Sequence, residues 1–217
     1  IVLASERYIG RSVFPQVVDG VTANAYLLVT LDASSEDELN NLIEQASELV
    51  LEAGAIDVLV ADTPAKMKDA WAARSSFLES IMAETKLLDE CDVVVPVNKI
   101  ASYVEFVNKA GEEFGLDIKS FGHAGDGNLH IYQCSNDLDE EEFKSRVDKF
   151  FDVIYAEATR CGGLVSGEHG IGSGKIKYLA DSVGEINMEL MRGIKKVFDP
   201  NEIMNPGKVC CTLDGIK

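Results

Sequence analysis

Gly122-His123-Ala124-Gly125-Asp126-Gly127-Asn128-Leu129-His130 places two of the chain's three histidines seven residues apart around an Asp-Gly pair. Asp-Gly between β-prone residues is a hairpin signal, because a two-residue type I′ turn needs positive φ at both central positions. With Asp126 and Gly127 at the centre, the expected pairing is Gly125 with Asn128, Ala124 with Leu129 and His123 with His130. Opposed residues share one face of an antiparallel pair, their Cβ atoms roughly 4.5–5.5 Å apart. Two imidazoles so placed can converge on one ion. They can equally be half-buried histidines beside a tight turn.

The third histidine stands in Leu164-Val165-Ser166-Gly167-Glu168-His169-Gly170-Ile171-Gly172. Every histidine therefore falls in a glycine-rich turn next to a carboxylate. Glycine lets a backbone approach a ligand closely, and neutral imidazole with carboxylate is the usual donor set for zinc or iron. His123, His130 and Glu168 are the expected two-histidine, one-carboxylate metal site, with positions left open for water or substrate. His169, beside it, is the candidate acid or base.

The remainder of the sequence bounds this reading. A chain of 217 residues buries roughly 70% of its unfolded surface and needs no disulfide to hold a core. One domain over 1–217 and two tightly joined halves fit equally well. A formal charge of −17 argues against nucleic acid and anionic membrane. The five cysteines, Cys91, Cys134, Cys161, Cys210 and Cys211, are odd in number and lack a Cys-x-x-Cys. They read as reduced thiols in a cytoplasmic setting. No signal peptide or membrane span is visible. The opening Ile1-Val2-Leu3 lacks an initiator methionine and already carries helix-like patterning, as expected of a piece of something longer.

Some signals fail on inspection. Gly170-Ile171-Gly172-Ser173-Gly174-Lys175 has His169 where a phosphate loop needs glycine and Ile176 where it needs Ser or Thr. The same segment puts Lys175 at the last glycine of a dinucleotide fingerprint. The acidic run 137–142 suits a helix N-terminus, and no Gly-x-Ser-x-Gly elbow is present.

Periodicity and punctuation predict strands over 25–31 and 56–61, with a helix between them opened by Ser35 and Glu38 and stopped at Gly54. Thr63-Pro64 opens a helix with Trp71, Arg74 and Leu78 on one face. A third strand covers 92–97, and Asn98 caps the helix that follows. After the hairpin, Asp137 with Glu140 starts a helix reaching Arg160. A short strand covers 164–166, and a last helix covers 185–197. The expected fold class is α+β: an antiparallel or mixed sheet covered by helices, built as ferredoxin-like halves.

The motifs at 123–130 and 166–172, with Phe198-Asp199-Pro200 and Asn205-Pro206-Gly207-Lys208, together resemble the C-terminal domain of FAD-linked oxidases, in the vanillyl-alcohol oxidase and p-cresol methylhydroxylase superfamily. The likeness extends to D-lactate dehydrogenases, glycolate oxidases and D-2-hydroxyglutarate dehydrogenases. It takes in Trp71-Ala72-Ala73-Arg74 and Asp92-Val93-Val94-Val95-Pro96 and covers nearly the whole chain. It implies an FAD held by an N-terminal domain, with the present chain as the substrate or cap domain. It further implies a divalent metal (zinc, iron or manganese) on His123, His130 and Glu168, His169 as base, and Arg74 on the substrate carboxylate. Asn205 and Lys208 would return toward the flavin. Relatives specific for 2-hydroxyglutarate have a threonine four residues after the arginine, a lysine before the Asp-Val segment and an asparagine after the second histidine. Here Leu78, Asp89-Glu90 and Tyr132 occupy those places, so a small monocarboxylate such as D-lactate or glycolate is expected.

Two further readings fit the same residues. The same ligands would serve a free-standing metallohydrolase. The acidic surface could instead dock an electron-transferring flavoprotein without chemistry of its own.

Overall fold

The computed structural model describes residues 1–211, which divide into two compact units, residues 1–84 and the remainder from Thr85. The first unit is helical. Helix α1 (Val2–Ile9) packs against α3 (Pro64–Ser75) and α4 (Phe77–Glu84). Glu6 accepts the backbone N–H groups of Val13 and Phe14, each at 2.6 Å, and Arg7 grips Glu84 through two bonds of 2.9 Å. A minimal hairpin, β1 (Val17–Val18) with β2 (Val21–Thr22), follows α1. Helix α2 (Glu36–Glu52) starts where expected, Ser35 accepting the N–H of Glu38, yet none of its residues is buried.

Three expectations fail in this unit. Residues 25–31 and 56–61 form no strand. Their apolar side chains stand exposed, Leu27 at 67% and Leu59 at 58%, because β-propensity needs a neighbouring ladder to satisfy the backbone. The helix opened by Thr63-Pro64 ends at Ser75, so Leu78 sits on α4 and not on the face that carries Trp71 and Arg74. Ser76 explains the break: its Oγ donates to the Ala73 carbonyl at 3.0 Å, competing with the helical bond.

The second unit is built on β3 (Leu87–Val94), β4 (Asp117–His123) and β5 (Asn128–Ser135), in the order β3-β5-β4 with all neighbours antiparallel. Helix α5 (Ile100–Phe114) links β3 to β4, and α6 (Glu140–Arg160) follows β5. Leu164 then returns to the free edge of β3, exchanging bonds of 3.0 and 2.8 Å with Val94. This is the βαββαβ order of a ferredoxin-like unit with its fourth strand reduced to a single bridge. Helices α7 (Ile176–Val183), which was not anticipated, and α8 (Glu185–Phe198) complete the unit.

Boundaries moved where a cap was misplaced. Strand β3 runs 87–94, not 92–97. Asn98 lies within a 3-10 turn, Val97–Lys99, and does not cap α5. The cap of α6 is Asp139, which accepts the Glu142 N–H at 2.8 Å, and not Asp137.

Strand alternation sorts the sheet into two faces. Cys91, Val93, Leu129 and Ile131 point into a core filled by Tyr103, Val107, Phe143, Phe150 and Ile154 from α5 and α6. The opposite face carries Glu90 and Asp92 from β3, His130 and Tyr132 from β5, and Phe121 and His123 from β4.

Candidate metal centre

The hairpin differs from its predicted register. His123 pairs with Asn128, Gly122 with Leu129 and Phe121 with His130, so four residues, 124–127, form the turn. Only Gly127 of these takes positive φ, 81°, which rules out the two positive φ values of a type I′ turn. Asp126 instead folds back on the chain, its carboxylate accepting the Asn128 N–H at 2.9 Å. Gly127 also lies so close to the backbone of Val95 that any Cβ would strike the Val95 carbonyl. The pairing is displaced by two positions, and strand parity repeats every two, so both histidines keep the same face. Their ring centroids are 6.1 Å apart.

Glu168 and His169 reach this face through Asp92. That carboxylate, fully buried, accepts four bonds from the loop at 166–169. The donors are Ser166 Oγ at 2.8 Å, Gly167 N–H at 2.7 Å, Glu168 N–H at 3.0 Å and His169 N–H at 2.7 Å. Burial alone would raise the Asp92 pKa, but these donors outweigh it and hold the carboxyl down to about 2. Lys175 adds its Nζ to the Asp92 carbonyl at 3.2 Å, giving the lysine of the glycine-rich loop a structural partner. Gly167 is fixed by space, since a Cβ there would stand 2.6 Å from Asn128 Oδ1.

The outcome is a convergent set of donors. One ligating atom from each of His123, His130 and Glu168 lies within 4.8 Å of the others, and His130 Nε2 is 3.2 Å from Glu168 Oε1. His130 is buried, whereas His123 and Glu168 are exposed and leave an open side. Glu90 beside Nδ1 raises the His130 pKa; burial opposes this, and the charges of Glu168 and Asp92 reinforce it. A buried imidazole ringed by three carboxylates is a site that attracts a cation, and two imidazoles with a carboxylate fit zinc, iron or manganese. His169 stacks on His130 at 5.0 Å with its side chain 41% exposed.

The other predicted residues stand on other elements. Arg74 belongs to the first unit, on α3, with its guanidinium 5.5 Å from the Phe77 ring centre. Asn205, at positive φ, and Lys208 line a shallow hollow with Phe198 and Cys210. Lys208 Nζ reaches Ser173 Oγ at 3.3 Å and Val209 N–H donates to the Gly172 carbonyl at 2.7 Å, which ties this tail to the loop after His169. Sequence reading missed Asp92 and Glu90 as site residues. The available signal was a charged residue at the head of the apolar run Val93-Val94-Val95, where only a partnered carboxylate is tolerated.

The ferredoxin-like unit with its convergent histidines and carboxylates fits a known class: the chain belongs to the family of FAD linked oxidases, C-terminal domain, whose model matches residues 9–209. Among individual proteins, it is 58% identical to a D-lactate dehydrogenase of Anaerostipes hadrus over 98% of this chain and 45% of that protein. It is 33% identical to glycolate oxidase subunit GlcD of Bacillus subtilis over 87% of this chain and 40% of that one. A D-2-hydroxyglutarate dehydrogenase of Stutzerimonas stutzeri is 29% identical, over 85% and 40%. The chain spans less than half the length of these relatives. Among the described residues, no helix is long and apolar enough to cross a membrane.

Proposed function

We propose that the chain is the substrate- and metal-binding domain of an FAD-dependent dehydrogenase that oxidises a D-2-hydroxy acid, of D-lactate or glycolate type, to the 2-oxo acid. The observation that carries this reading is the convergence of His123, His130 and Glu168 with His169 at their side. Those three side chains would hold a divalent ion, and His169, its ring stacked on His130 beside them, would take the hydroxyl proton. Arg74 would clamp the substrate carboxylate in the bidentate geometry that guanidinium favours. Bound metal supplies Lewis acidity that lowers the pKa of a hydroxyl, and FAD, held by an N-terminal domain outside this chain, supplies the hydride acceptor. Asn205 and Lys208 would face that flavin domain. An electron-transferring flavoprotein is the proposed onward partner.

The preference for a monocarboxylate is supported by the occupancy of the sheet face. Glu90 presents its own negative charge there, and Tyr132 is buried and stacked on Phe121 at 5.3 Å. A second substrate carboxylate would meet repulsion and an apolar wall.

Metal analysis of the chain, purified without chelator and then titrated with zinc, iron and manganese, tests the reading. One divalent ion per chain is expected, with affinity falling at least about 100-fold in His123→Ala and His130→Ala. No uptake of any of the three ions overturns it. Metal-dependent ester hydrolysis by the chain alone would replace it with a hydrolase.

A further inference from the structure

The carboxylate of Glu90 lies between two imidazoles. Its Oε1 is 2.9 Å from Nδ1 of His169 and 3.5 Å from Nδ1 of His130. The rings are nearly parallel, 28° apart with centroids at 5.0 Å, so both turn the same edge toward one oxygen. Glu90 Oε1 and His130 Nδ1 are buried, and neither makes a hydrogen bond with any described residue, so these close approaches are the contacts left to satisfy them. The geometry follows from the sheet: Glu90 pairs with Tyr132 across β3 and β5, which sets it diagonal to His130 on the same face.

From this juxtaposition we propose that Glu90 is a positioning residue, one carboxylate fixing His130 and His169 together with the proton on Nδ1 of each. It rests on the metal and base roles assigned above and says how the two are coupled. A neutral imidazole has one donor and one acceptor, and a carboxylate only accepts. An Nδ1 turned toward Glu90 therefore carries the hydrogen, and the lone pair is left on Nε2. For His130 that nitrogen faces Glu168 Oε1 at 3.2 Å within the donor set, so any proton held there is the one a bound cation would displace. For His169 it is the nitrogen left to accept a substrate proton. Metal-bound histidines commonly donate their second N–H to a carboxylate, which fixes the ring and raises its basicity. Here the same carboxylate would prepare the ligand and the base. A rival role is available to Glu90, since its oxygen with His130 and His169 forms another set of donors within 4.8 Å. A cation bound there would occupy His169 and remove it as a base.

Long-range nitrogen–proton correlation spectra of the ¹⁵N-labelled chain, zinc-free and zinc-loaded, separate these outcomes. His169 is expected as the Nδ1–H tautomer in both states. On loading, the His130 Nε2 resonance moves while its Nδ1 keeps its proton. In Glu90→Ala the His169 proton moves to Nε2, and zinc affinity falls about 10–100-fold with one site per chain retained. Glu90→Gln, which keeps a carbonyl acceptor without charge, falls between. An Nε2–H tautomer at His169 in the native chain overturns the proposal without any variant. Zinc-induced movement of both Nδ1 resonances overturns it in favour of the rival ligand set, and unchanged spectra and affinity in Glu90→Ala do so outright. Should the native chain take up no zinc, the metal reading fails, and the His169 tautomer of the zinc-free chain still decides the role of Glu90.

Discussion

Residues 25–31 and residues 128–135 carry similar β-prone, apolar sequence and reach opposite ends. The first stretch forms no strand and leaves Leu27, Leu28 and Val29 exposed. The second is the central strand β5, seven of its eight residues buried. The difference lies in the neighbours. Strand β5 has a ladder on each side and two helices against one face, whereas 25–31 has no ladder within its unit. Local propensity thus marks where a strand is permitted, and pairing decides whether it forms.

The contrast should appear most strongly in the core. Phe150, fully buried on α6, is expected to cost about 3–5 kcal/mol as Phe150→Ala. Leu27→Ala should stay within about 0.5 kcal/mol, as for an exposed side chain. Denaturant midpoints of the two variants check this. A large loss at Leu27 would mean that 25–31 is packed in solution, and the comparison would collapse.

Next in size is the buried carboxylate behind the site. Asp92 has a folded pKa of about 2 against an ordinary 3.8, which corresponds to roughly 2–3 kcal/mol at neutral pH. Since the folded value is the lower one, this stabilisation is present above the ordinary pKa. It is lost as pH falls toward and through the folded value. Asp92→Asn should therefore be destabilised by about that amount at pH 7, with the gap to the native protein closing between about pH 4 and pH 2. A gap independent of pH would show that packing, not the four donated bonds, sets the cost.

Much of this site was legible because it sits in local signals. The histidine, glycine and carboxylate pattern located His123, His130, Glu168 and His169, and even a register error of two left both hairpin histidines on one face. Hidden from sequence were the contributions of β3. Asp92 acts on a loop more than seventy residues away, and no local pattern announces a partner at that distance. Glu90 read only as the lack of a lysine. In the first unit the helical caps at Ser35 and Thr63 were readable and formed, while the strands predicted beside them depended on contacts that no periodicity encodes.

The smallest expected effect is the sharpest test of the two regions, because it applies one device to both. Ser35 and Asp139 each cap a helix by accepting the N–H three residues on, at 3.2 and 2.8 Å. Loss of such a cap costs about 1 kcal/mol. Helix α6 buries Phe143, Val147, Phe150, Ile154, Tyr155 and Ala158, so it melts only with its unit, and Asp139→Ala should lower the global unfolding free energy by that amount. Helix α2 buries nothing, and a helix without packing is marginal in water. Ser35→Ala should then speed amide exchange along α2 about fivefold and leave the global midpoint in place. An equal shift of the midpoint by both variants would mean that α2 unfolds with the rest of the chain, and that its exposed stripe is covered in solution.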